Sequence, residues 1–183
     1  MSSYLTSTIK QFEYYKSLGD KTFKQLTFDE LQWQSHEDAN SISIIVKHIV
    51  GNMLSRWTNF LTEDGEKEWR HRDEEFNATF TTYKDLITAW ETGWKCLFDA
   101  ITPLTEDDSE HIIYIRNQGH TVTEAINRQL AHYCFHIGQI VFLGKLLKAS
   151  DWESLSIPKG GSITYNEDKF SKAKEKRHFT DYL

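Results

Sequence analysis

Proline is scarce in this chain. Only Pro103 and Pro158 occur among 183 residues; Pro103 forbids continuation of the helical pattern before it, and long stretches elsewhere carry no such barrier. Cysteine is equally scarce. Cys96 and Cys134 make no CxxC pair and no disulfide framework, and each lies in a helical pattern where a small apolar residue fits, so buried reduced thiols are expected. No apolar run reaches the roughly 18 residues of a membrane span, and MSSYLTSTIKQF lacks the basic, apolar and small-residue order of an export signal. A cytoplasmic protein that enters no membrane is the expectation. Basic excess is also missing: 21 Lys and Arg stand against 27 Asp and Glu, a formal charge of −6, which argues against nucleic acid as a partner.

What is present reads as one globular domain. A chain of 183 residues that is 39% hydrophobic and 26% charged is long enough to bury its own core. The expected organisation is a helical bundle over residues 1–150 and an irregular extension of the same domain over 151–183, with a basic tail at Lys169, Lys172, Lys174, Lys176 and Arg177. Aromatics make up 14%, more than a minimal core needs, so some are expected to line a pocket or an interface.

Helical spacing recurs along the chain. Leu5, Ile9, Phe12, Tyr15 and Leu18 predict a first helix over 3–18 that Gly19 ends, followed by a short helical or irregular connection around TFDELQW in which Trp33 packs. SISIIVKHIVGNMLSRWTNFL predicts a second helix, capped by Asn40 or Ser41. It is apolar over most of its circumference, with one polar row of Ser41, His48, Asn52, Ser55 and Asn59. A charged loop over 62–80 contains Trp69, Arg70 and Arg72 and turns at Asp64-Gly65. A third helix is expected over 83–101. HIIYIRNQGHTV, with Gln118-Gly119, reads as a short hairpin.

The last helix carries the chemistry. Thr121-x-x-Glu124 is a capping box, and the helical pattern runs from there to Lys148. Ile126, Leu130, Tyr133, Cys134, Ile137, Ile140, Val141 and Gly144 form its core face, beside a polar row of Arg128, His132, His136 and Gln139. Phe135, Phe142 and Leu146 make a third side apolar, which predicts a homodimer covering it. His132 and His136 are four apart and project together, so both imidazoles can reach one ion.

Long helices with one polar row each suggest an all-α fold, an antiparallel four-helix bundle with a short β-hairpin before the last long helix. In such a bundle metal sites form between facing helices, and His48 is the natural third ligand. Three neutral imidazoles suit Zn²⁺, and Ni²⁺, Co²⁺ or Fe²⁺ accept them too. An incidental helical histidine pair is the ordinary alternative, and in otherwise apolar helices an unpaired imidazole is costly. Tyr133 stands where an HExxH protease has its glutamate, so peptide hydrolysis is disfavoured. His36, His71, His111, His120 and His178 fall in loops, hairpin or tail and are expected outside the site.

The order of IVKHIVGNMLSRW, a hairpin, then HTVTEAINRQLAHYCFHIGQI resembles the DinB/YfiT-like superfamily, and within it the DUF1572 branch, over roughly residues 40–161. The resemblance implies a four-helix bundle, usually homodimeric, with a divalent metal on His48, His132 and His136. Characterised members of the superfamily include transferases and isomerases that use bacillithiol, mycothiol or glutathione. The expected function is therefore a metal-dependent enzyme acting on a small-molecule substrate, with a low-molecular-weight thiol such as bacillithiol as cosubstrate. Asn52 and Gln139 would line the site, and Arg70, Arg72 or Arg116 would pair with carboxylates of the thiol, an ordinary surface ion pair being the alternative for each. A hydrolase of a small substrate and a non-catalytic, metal-binding stress-response dimer are the rival expectations.

Overall fold

The computed structural model describes residues 3–77 and 80–181. They form a mostly helical protein with helices α1 (Ser3–Phe23), α2 (Phe28–Gln32), α3 (Ile42–Trp57), α4 (Tyr83–Ile101), α5 (Val122–Lys148) and α6 (Ser162–Phe170), and strands β1 (Ile112–Ile115) and β2 (Gln118–Thr121). A 3-10 segment, Arg72–Phe76, lies against α3. The four long helices share one core: α3 lies beside α4 and α5, and α1 beside α5 and α4. Trp90, Trp94, Tyr133, Phe12 and Phe23 are its largest fully buried side chains, and their rings meet edge-on or tilted, as between Phe23 and Trp90 and between Trp94 and Tyr133.

The helix starts follow side-chain capping. Ser41 accepts the Ile44 amide at 3.2 Å, and Thr121 and Glu124 exchange bonds with each other's amides at 3.1 and 2.8 Å. Thr27 and Glu30 do the same at the start of α2.

Several expectations need correction. Gly19 does not end the first helix; α1 continues to Phe23, and Gly19 is instead the point where the Trp90 ring approaches the backbone. α3 stops at Trp57, four residues early, as the chain turns through Asn59 at φ 48°. Trp33 remains 40% exposed. The hairpin turns at Arg116 and Asn117, both at positive φ, while Gln118-Gly119 belongs to β2; two such residues give the turn whose twist matches that of antiparallel strands. The extension expected to be irregular contains α6. Cys96 and Cys134 are free but only half-buried, and Leu130 and Val141 lie at the margin of the core.

Among the described residues, Val122–Asp151 is long and apolar enough, by length and composition alone, to cross a membrane. It carries both histidines of the last helix and packs along α1 and α3.

Candidate metal centre

The apolar majority of α3 turns its polar row toward α5 and the charged loop. Four members of the row have separate tasks, and the fifth, Asn59, lies past the end of α3 and donates to Glu63. Ser41 caps the helix, Asn52 accepts the Tyr133 hydroxyl at 3.0 Å, and Ser55 donates to the Gly65 carbonyl at 2.7 Å while accepting the Lys67 amide at 3.2 Å. His48, one turn before Asn52, meets α5. Its Nε2 lies 3.3 Å from His132 Nε2, which lies 3.1 Å from His136 Nε2. One ligand atom from each of the three histidines falls within 4.8 Å of the others.

Each outer imidazole is anchored through its second nitrogen. His48 Nδ1 donates to Glu75 Oε2 at 2.9 Å, and His136 Nδ1 donates to Gln139 Oε1 at 2.7 Å. With Nδ1 carrying the proton, the Nε2 atoms of His48 and His136 both present lone pairs toward His132, which has one Nε2 position to offer and cannot donate to both. Three lone pairs converging on one point are satisfied by a cation. Imidazole nitrogens at about 2.0–2.1 Å from a tetrahedral divalent ion stand about 3.3 Å apart, close to the His48–His132 and His132–His136 spacings, so the donor set fits such an ion. Burial, then the neighbouring His136 and His48, pull the pKa of His132 down to about 3. Burial also lowers that of His136, against the bond to Gln139. Both rings are thus neutral at neutral pH, the form that ligates metal.

Around the histidines lies a buried ionic network. Glu75 is 6% exposed; Arg70 donates from Nε to its Oε1 at 2.7 Å and from Nη2 to its Oε2 at 3.0 Å. Burial works to raise the Glu75 pKa, but the bonds from His48 and Arg70 outweigh it and hold the pKa below the ordinary carboxylate value. Glu66 takes Arg56 at 3.1 Å and, on its outer side, Arg116 at 2.9 Å. The His48 ring stacks on Phe76, with centroids 5.3 Å apart, and the Arg72 guanidinium lies over the Phe76 ring, 5.2 Å from its centroid.

The structure thus brings together His48, His132, His136 and Gln139, with Arg70 one bond further out through Glu75 and Asn52 bonded to the neighbour of His132. Arg72 touches the site only through Phe76. Arg116 belongs to the hairpin and reaches Glu66, not the histidines. Glu75 and Phe76 were missed: RDEEF is a run of charge in a loop, and nothing in its pattern separates the one buried carboxylate from its exposed neighbours. A cavity of about 540 Å³ between the ends of α3 and α4, lined by Trp57, Phe60 and Cys96 among others, has none of the three histidines in its wall. The open side of the centre is the half-buried edge of His132 and His136, beside the exposed Phe135 ring 5.1 Å from that of His136.

A family model described as "Protein of unknown function (DUF1572)" matches residues 1–161. No curated protein matches the chain.

Proposed function

The chain belongs to the DUF1572 family, and we propose that it is a divalent-metal-dependent enzyme of the DinB/YfiT-like four-helix-bundle type, cytoplasmic and homodimeric, that activates a low-molecular-weight thiol for transfer to a small electrophile. The observation that carries the metal centre is the convergence of three imidazole Nε2 atoms, two of the separations being 3.3 and 3.1 Å. Three protein ligands leave a position open, the arrangement of catalytic rather than structural sites. The pairwise packing of α1, α3, α4 and α5 supports the bundle, and the exposed Phe135, Phe142 and Leu146 support the dimer.

A bound divalent ion would supply a Lewis acid that lowers the pKa of a coordinated thiol. The protein's own part is positioning. His48, His132 and His136 would hold the ion, Gln139 fixes the plane of His136, and Phe76 stacks on His48. Tyr133 donates to Asn52 and accepts the Trp57 indole N–H at 3.1 Å, so the α5 backbone between the two histidines is tied to α3.

Metal analysis of protein purified without a histidine tag tests the centre. One equivalent of metal is expected in the wild type and its loss in His48→Ala and in His136→Ala; a metal-free wild type sinks the reading. The thiol is tested separately, by assaying conjugation and hydrolysis side by side with bacillithiol, mycothiol or glutathione. Product formed equally well without thiol would replace the transferase by the hydrolase.

A further inference from the structure

Three features surround the Glu75 carboxylate, two of them on α3 and one in the loop that follows it. Arg70 grips both oxygens through Nε and Nη2, with its own side chain only 3% exposed. His48 Nδ1 donates to Oε2. Gly51, one turn beyond His48 on α3, leaves the space that the carboxylate fills; a Cβ there would overlap Glu75 Oε1. A carboxylate and a guanidinium withdrawn from water together are costly for stability, and an ion pair meant only to fasten the loop would be served as well at the surface.

We infer that Glu75 is a positioning residue of the metal centre: it holds His48 as the Nδ1–H tautomer and aims the Nε2 lone pair at the point shared with His132 and His136, while Arg70 fixes the carboxylate and Gly51 makes room for it. The inference rests on the metal-centre reading above. Metal-ligating histidines commonly give their second N–H to such an acceptor, and loss of the acceptor weakens metal binding by about 10–100-fold. Gln139 serves His136 in the same way with a neutral amide. The two ligands on the inner and outer sides of the centre are therefore oriented by different chemistry, one charged and buried, one neutral and half-exposed.

The test uses the untagged full chain with Co²⁺ as probe. Removing Glu75 alone would strand Arg70 in the interior, so the informative variant is Arg70→Met/Glu75→Leu, which removes both charges together. Arg70→Met/Glu75→Gln restores an uncharged acceptor for His48. In the metal-free wild type, the ring ¹⁵N shifts of His48 are expected to show the Nδ1–H tautomer. The Leu double variant is expected to lose that preference and to bind Co²⁺ about 10–100-fold more weakly in chelator competition. The Gln double variant recovers both. Should the Leu variant fail to melt cooperatively, Gly51→Ala keeps both charges and displaces the carboxylate, and is expected to give the same loss of tautomer and affinity. Wild-type tautomer and wild-type affinity in a folded Leu double variant, or in Gly51→Ala, would overturn the inference and leave the metal centre standing. A wild type that binds no Co²⁺ overturns both.

Discussion

Gly19 stands one turn before the end of α1 because the Trp90 indole occupies the volume of its missing side chain: a Cβ built there lies 2.6 Å from the ring. Trp90 cannot retreat. It is fully buried, its ring meets Phe23 edge-on at 5.0 Å and Trp94 at 5.4 Å, and its indole N–H donates to Asp20 at 2.7 Å. Alanine usually improves a helix over glycine, by about 1 kcal/mol, but here overpacking costs about 1–3 kcal/mol. Gly19→Ala is therefore expected to destabilise the protein, read as a lower urea midpoint at unchanged slope; a raised midpoint would show that the ring gives way. The same residue explains a limit of sequence reading. A glycine after a run of helical spacing looks like a helix end, and only the packing partner 71 positions later reveals it as a close approach.

At the scale of elements, α3 and α5 carry the three histidines, and the loop between α3 and α4 holds His48 through Glu75. Asp64 organises that loop. Its carboxylate accepts the amides of Glu66 at 2.7 Å, Arg116 at 2.8 Å and Asn117 at 2.8 Å, so one side chain turns its own loop and clasps the hairpin turn, where two consecutive residues at positive φ aim their N–H groups at one anion. Gly65 adds a bond to the Tyr114 carbonyl at 2.8 Å. Burial works to raise the Asp64 pKa, but the amide donors, Asn117 foremost, hold it below the ordinary 3.8. Asp64→Asn is expected to cost about 1 kcal/mol or less at neutral pH, since these exposed bonds compete with water. Because the folded pKa is the lower one, this contribution is present above pH 3.8 and lost as pH falls through the depressed value. Denaturation curves of wild type and variant should thus converge in acid; a constant gap would assign the effect to shape rather than charge. The helices and their caps were legible in the sequence because apolar spacing and the Ser41 and Thr121 signals are local. His48, His132 and His136 were legible as polar residues in apolar helices. Asp64-Gly65 was legible as a turn, but the clasp of Asp64 on the hairpin, the role of Glu75 and the Arg116-Asn117 turn were not, since each depends on partners from another element within a stretch where charge is common.

On the scale of the whole molecule, the unexplained surface is the outer side of α5. Phe135, Phe142 and Leu146 are 62%, 66% and 55% exposed and lie seven and four residues apart, so they form one stripe along the helix. Gly138, within that stripe, has open space where its Cβ would stand, leaving a shallow gap between the two phenylalanines into which an apolar side chain fits. The stripe also borders the open edge of the centre through the contact of Phe135 with His136. Under the proposed homodimer, two copies of this stripe pack about a twofold axis, each Phe142 near the gap of its mate, as an isologous contact requires. A substrate entering past His132 and His136 would then meet the rim of that contact. Sedimentation of the wild type is expected to give a dimer. Phe142→Glu places a charge in the apolar stripe and is expected to give a monomer with unchanged helix content and unchanged metal stoichiometry, because Phe142 lies more than one turn beyond His136 on α5. A monomeric wild type at the same concentration would reject the dimer, and would leave the stripe as a surface without a covering partner.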